Sequence, residues 1–142
     1  MTQTPTLNGV VLRKLELLNH TLADLRTLGE VRVAQLEEDW RTKRAVERSL
    51  QILVEIMIDV CQRLLSVSGQ TPATSGQDAI ERCVQLGALS SYEAYENMVK
   101  FRNFIVHLYE RVETPILVNL VNRRLGDFEQ FRDEILAYVH RS

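Results

Sequence analysis

The sequence has 142 residues, 45% of them hydrophobic, with a formal net charge of -2 and only six glycines and three prolines. That length suffices for one domain with a real core, and the composition fits long helices better than the turn-dense pattern of a small all-β protein. The slightly acidic balance excludes a protein that coats nucleic acid through a general basic surface, though not a local basic groove.

From Val10 to about Trp40, apolar residues recur at Leu15, Leu18, Leu22 and Leu25, then at Val33, Leu36 and Trp40. This 3-and-4 spacing predicts a long first helix with one buried stripe, bent or shifted in register at Gly29, with Trp40 as a packing residue. Ala45 to Leu65 carries a broader apolar face and predicts a second helix buried on more than one side. Ser66 to Gln77 has the Ser, Thr, Gly and Pro content of a connecting loop. A short third helix is expected from Asp78 to Leu86, with Ser75 and Asp78 as a capping pair and Gly87 at its end. Ser90 and Glu93 form a capping box for a fourth helix, whose stripe runs Tyr95, Met98, Arg102, Val106 and Tyr109. Thr114 as N-cap with Pro115 at the first helical position opens a fifth helix, carried onward by Leu117, Val121, Leu125, Phe128, Phe131, Ile135 and Val139. The sum is an all-α, mostly up-and-down bundle of four long helices and one short helix, in a single domain spanning residues 1–142.

No apolar run approaches the roughly 20 residues that span a bilayer, and Met1 to Asn8 lacks the basic and apolar regions of a signal peptide. A cytoplasmic location without membrane contact is therefore expected. Cys61 and Cys83 sit in apolar helical patterns and read as buried thiols of a reducing compartment. His20 and His140 lack partners at ligand spacing, so no metal site and no cofactor are expected. Arg123 and Arg124 read as a solvated face ahead of an RNA contact, and Glu47, Glu55 and Asp59 as an exposed polar stripe or interface pair ahead of a place in a composite groove.

Chemistry concentrates in Arg102-Asn103-Phe104-Ile105-Val106-His107-Leu108-Tyr109, where a guanidinium, an amide, an imidazole and a phenol crowd two helical turns. Arginine grips phosphate in a bidentate fashion, and histidine takes and returns a proton near neutrality. Phosphodiester chemistry follows from the combination. With fourteen arginines and three histidines, an Arg-x4-His pair arises by chance with a probability of roughly 0.3, and requiring a tyrosine two residues later lowers this to about 0.01. At 100° per residue, Arg102 and His107 diverge by about 140° on an ideal helix, whereas Arg102 aligns with Tyr109 and Asn103 with His107. Both pairs can serve one phosphate only if the helix unwinds near His107 or if a second copy of the chain completes the site. Lys100 and Arg111 are close enough in sequence to add RNA contacts, and two copies of Arg102 would make such a composite groove basic.

At Arg102, Asn103, His107 and Tyr109 the chain resembles the HepT toxins of the HEPN superfamily, whose signature is Arg-x4-6-His with a polar residue after the arginine and, in the HepT branch, Tyr two after the His. Ala45-Val46-Glu47-Arg48-Ser49-Leu50-Gln51 is similar to that branch's helix opening, and the resemblance covers about residues 42–140. It implies a homodimeric HEPN-type helical bundle acting as a metal-independent ribonuclease toxin. It also implies a small nucleotidyltransferase antitoxin partner, MntA, which silences the toxin by moving AMP from ATP onto the motif tyrosine, here Tyr109. His107 would then be the general acid/base, Arg102 would stabilise the charge of the phosphorane, and Asn103 and Tyr109 would position substrate. The competing expectation is a catalytically silent HEPN module that serves as the helical partner of a nucleotidyltransferase; an intact Arg102/His107 pair argues for the enzyme.

Overall fold

A computed structural model describes residues 7–108 and 113–141, with side chains from Gly9 to Phe104 and from Glu113 to Arg141. Leu7–Arg26 forms α1, whose buried stripe Val11, Leu15, Leu18, Leu22 and Leu25 is the one anticipated from spacing. The long first helix is not continuous, however. Gly29 takes a left-handed φ of 64°, which ends α1, and a separate short helix, α2, spans Val33–Glu38. The linker is fixed from across the molecule, because the side-chain amide of Asn122 accepts from the Val31 N–H at 2.9 Å and donates to the Val31 carbonyl at 2.8 Å.

The next helix, α3, starts at Trp40 and runs to Val67, five residues earlier than the apolar pattern suggested. Its start is set by Asp39, whose carboxylate accepts from the backbone N–H groups of Arg41 and Thr42 and from the Thr42 hydroxyl. Those hydrogen bonds, led by the Thr42 hydroxyl, hold the Asp39 carboxyl below its usual range. Trp40 consequently sits on the first turn of α3, 64% exposed under the Arg41 guanidinium, and is not a packing residue. Val46, Leu50, Leu53, Val54, Met57, Val60, Cys61, Leu64 and Leu65 of α3 are all buried, and α3 packs against every other α-helix described. At 28 residues, it is about 42 Å of central post.

After α3 the chain turns at Gly69, in a left-handed conformation with φ 79°, and enters α4, Gly76–Gln85. The Ser75 hydroxyl caps the Asp78 N–H at 3.0 Å, as its spacing predicted. The end of α4 is a Schellman turn around Gly87, φ 87°, with the Ala88 N–H reaching the Cys83 carbonyl at 2.9 Å. The Ser90/Glu93 box does not form. Instead the Ser91 hydroxyl accepts from the Ala94 N–H, Glu93–Tyr95 makes one 3-10 turn, and α5 follows over Glu96–Leu108. The Ser90 N–H is diverted to the carboxylate of Glu134, which also takes the Tyr95 hydroxyl at 2.7 Å.

The fifth expected helix is two, α6 over Thr114–Arg123 and α7 over Leu125–Arg141, parted at Arg124. Glu113, not Thr114, is the N-cap of α6, so Pro115 occupies the second helical position and Thr114 is buried in the first turn. The apolar register crosses the break undisturbed, with Leu117, Val121, Leu125, Phe128, Phe131, Ile135 and Val139 all inside. The described residues thus form an all-α bundle of four long and three short helices without strands, in which Tyr95 meets Phe131 edge-on at 5.7 Å in the core. Cys61 and Cys83 are buried free thiols, the Cys83 Sγ donating to the Cys61 carbonyl at 3.6 Å. No helix among the described residues is long and apolar enough to cross a membrane.

Candidate active site

The helix that carries the polar cluster is anchored at its start. Tyr95 and Met98 are fully buried, and the Glu134 carboxylate of α7 fastens both Tyr95 and Ser90. Burial pushes the Glu134 carboxyl up, but donation from Ser90 and Tyr95 outweighs it and leaves the group below its usual range. One turn on from Met98, Arg102 emerges half-buried at the rim of the same stripe. Its aliphatic stem passes the first residue of α4: a Cβ on Gly76 would lie 3.8 Å from Arg102 Cδ and 3.0 Å from Ile58 Cδ1. The absent side chain at Gly76 leaves room for Ile58, and the Arg102 stem packs beside it at ordinary contact distance.

Arg102 reaches a groove of about 580 Å³, walled by α1 and α3 and lined among others by Lys14, Leu17, Arg48, Ile52, Glu55 and Asp59. Lys14 and Asp59 are ion-paired across it, and the Gln51 amide donates to Glu55 at 3.1 Å. Among the described residues neither Arg102 nor Arg48 has an ion pair or hydrogen bond. A guanidinium without a carboxylate, half-sunk beside apolar walls, is suited to a phosphate.

Asn103 is exposed beside Arg102, and Lys100 is exposed and paired with Glu96 at 3.3 Å. Two residues put Lys100 about 200° round the helix from Arg102, so it lies outside this groove. The backbone of α5 is helical through Leu108. The side chain of His107, and Tyr109 and Arg111 entirely, lie outside the described residues.

The acidic stripe divides. Glu55 and Asp59 are exposed, as expected of a polar stripe, and also line the groove, whereas Glu47 is half-buried and lies 3.8 Å from Arg44. Of the groove residues, Lys14 and Arg48 are not singled out by the sequence reading. The available signal was the 4-and-3 recurrence of Arg48, Ile52, Glu55, Asp59 and Gln62, a stripe on one face of α3 that interrupts its apolar surround. His20, His140, Arg123 and Arg124 are exposed as read, and Arg124 lies 3.9 Å from Asp127. The described residues contain no group of three or more His, Cys, Asp or Glu placed to hold a metal ion.

The ribonuclease HepT-like family matches residues 18–135, most of the chain and the whole of α3 to α5. This chain belongs to that family. The HepT-like chain is 28% identical over 106 residues to the mRNA nuclease HepT of Shewanella oneidensis, an alignment covering 73% of this chain and 80% of that one. In three dimensions it is similar to a toxin-antitoxin structure with AMP-PNP, with a TM-score of 0.79, 23% identity and coverage of 91% of this chain and 98% of the other. It is equally similar to the tri-AMPylated Shewanella oneidensis HEPN toxin in complex with an MNT antitoxin, with a TM-score of 0.78, 24% identity and coverage of 90% and 97%. At such identities the structural likeness establishes the HEPN fold for this HepT-like chain, and chemistry has to come from its own residues.

Proposed function

We propose that this chain, as a single HepT-like domain over residues 1–142, is the ribonuclease toxin of a toxin-antitoxin pair and acts in the cytoplasm without a metal or cofactor. The observation that carries the reading is Arg102, half-buried at a groove and without an ion pair among the described residues, on the helix that opens the sequence motif Arg102-Asn103-x3-His107-x-Tyr109 of a HepT-like protein. RNA contains its own nucleophile. His107 removes the proton of a 2′-OH, the oxygen attacks the adjacent phosphorus, and Arg102 neutralises the charge that builds on the equatorial oxygens. The leaving 5′-oxygen takes a proton back, and a 2′,3′-cyclic phosphate remains on the upstream fragment. Asn103 orients the phosphate or imidazole by hydrogen bonding. Because α5 does not unwind before Leu108, the site is completed by a second copy packed two-fold about this helix, which brings two Arg102 side chains into one groove.

The partner is an MntA-type nucleotidyltransferase that transfers AMP from ATP to the Tyr109 hydroxyl, releasing pyrophosphate. The relationship to a tri-AMPylated toxin bound to its antitoxin supports this regulation. A bulky anion two residues beyond His107 would block RNA by sterics and like-charge repulsion. Lys100, away from the groove, would add charge to the RNA path outside it, and Arg111 is proposed as a further RNA contact.

Digestion of RNA in EDTA tests the catalytic assignment. Wild-type protein cleaves, and His107→Ala loses at least 100-fold in rate, the scale of one general acid/base; equal cleavage by the variant would remove His107 from the chemistry. A wild-type protein that binds the antitoxin but never cleaves RNA would instead identify a silent helical module. Intact-mass measurement after incubation with antitoxin and ATP should show added AMP on wild type and none on Tyr109→Phe, and an unchanged mass gain in the variant would place the acceptor elsewhere.

A further inference from the structure

We propose that Arg48 on α3 is a second phosphate-binding residue, which holds the backbone of a single RNA strand in the groove at a phosphate other than the one gripped by Arg102, a role that rests on the ribonuclease reading above. Arg48, Ile52, Glu55, Asp59 and Gln62 recur every four and three residues, so one face of α3 supplies a continuous wall of the groove, with Lys14 and Leu17 of α1 and Arg102 of α5 completing it. The charges in this groove are not interchangeable. Lys14 and Asp59 cancel one another, and Glu55, which has no cation partner among the described residues, receives the Gln51 amide. Among the described residues, Arg48 and Arg102 are the cations left uncompensated there, with apolar Leu17, Ile52 and Ile56 around them. Low-dielectric walls strengthen the attraction of such guanidinium groups for an anion with several acceptor oxygens.

The two arginines stand at different levels of the groove. Arg102 lies at the level of Ile58 and Gly76, and Ile58 is ten residues beyond Arg48 on α3. That is about 15 Å at the helical rise of 1.5 Å per residue. A ligand that engages each arginine at its own level is a polyanion with spaced charges. Glu55, between the two levels, repels phosphate from the middle of the groove and leaves its arginine ends as the anion positions. About 580 Å³ is the size of a small-ligand cleft, with room for a nucleotide or two of one strand, and its apolar residues offer contact to sugar and base faces.

The test compares wild type, Arg48→Ala and Arg48→Lys as full chains on a 12-nucleotide single-stranded RNA, with kcat and KM measured across a salt series. Arg48 is exposed, so equal thermal midpoints of the three proteins are expected and confirm that folding is untouched. Arg48→Ala should raise KM about tenfold with kcat within twofold, and should reduce the slope of log(kcat/KM) against log salt by about 0.7, the loss of one single-strand phosphate contact. Arg48→Lys, which keeps the point charge, should recover most of the slope. Active wild type with unchanged KM and slope in Arg48→Ala would overturn the role of Arg48 and leave the ribonuclease reading standing. A fall in kcat without a change in slope would also overturn it, since that marks a residue acting on the reacting phosphate or on the fold. Failure of wild type to bind or cleave RNA would overturn the ribonuclease reading itself and Arg48's role with it.

Discussion

Replacing Tyr95 by Phe isolates the hydrogen bond that anchors α5. The phenol is fully buried, its hydroxyl donates to Glu134 at 2.7 Å, and its ring meets Phe131 edge-on at 5.7 Å. Phenylalanine keeps the ring and its packing, so no cavity opens and the loss is confined to one hydrogen bond to a carboxylate, about 1.5–3 kcal/mol. Glu134 is not orphaned, because the Ser90 N–H at 3.1 Å and the Gln130 amide at 3.3 Å remain. The lower end of that range, roughly 1.5 kcal/mol, is therefore expected, or about 3–6 °C in thermal midpoint for a domain of this size. The pH profile gives a second readout. The Glu134 carboxyl is held below its ordinary 4.5, burial raising it and the Ser90 and Tyr95 donors lowering it further, so its contribution is present above pH 4.5 and lost as pH falls through the lower folded value. Burial, and next the Glu134 carboxylate, raise the Tyr95 phenol above its ordinary 10, so its contribution is complete below pH 10 and fades as pH rises beyond it. Tyr95→Phe should thus lose stability less steeply than wild type in acid and lack the alkaline decline contributed by the phenol. Thermal melts at pH 3 to 11 measure both, and equal midpoints at pH 7 with parallel profiles would refute the anchoring argument.

Two further predictions concern packing, and two the chemistry already described. Asn122→Ala removes both hydrogen bonds to buried Val31 and should cost roughly 2–3 kcal/mol, with faster amide exchange across residues 27–32 as the local signature. The Thr114 hydroxyl is buried without a partner among the described residues, so Thr114→Val should leave stability unchanged or raise it by up to about 1 kcal/mol in a denaturant titration. On the functional side, EDTA-resistant cleavage should depend on His107, and AMP incorporation on Tyr109.

How far the sequence could be read differs from element to element for physical reasons. Ser75 and Gly87 were legible because a cap and a left-handed turn are satisfied by the chain within a few residues of themselves. Trp40 was misread because Val33, Leu36 and Trp40 continue a helical spacing, while Asp39 between them stops one helix and starts the next. The break at Arg124 was invisible for a related reason: Val121, Leu125 and Phe128 keep facing the core on both sides of it, and hydrophobic spacing reports burial rather than continuity.

The Arg102 to Tyr109 cluster, the all-α class and the HepT-like family were set by local order alone, since a motif's spacing, helical periodicity and capping chemistry are properties of neighbouring residues. The groove was decided by tertiary structure. Lys14, Arg48, Asp59 and Arg102 come from three helices separated by up to 88 positions, and whether each cation is neutralised depends on which carboxylate the packing of α1 on α3 brings beside it. Lys14 found Asp59, whereas Arg48 and Arg102 found no carboxylate among the described residues. An anion site is a surplus of charge in one place, and only the folded chain brings together the residues that sum to it.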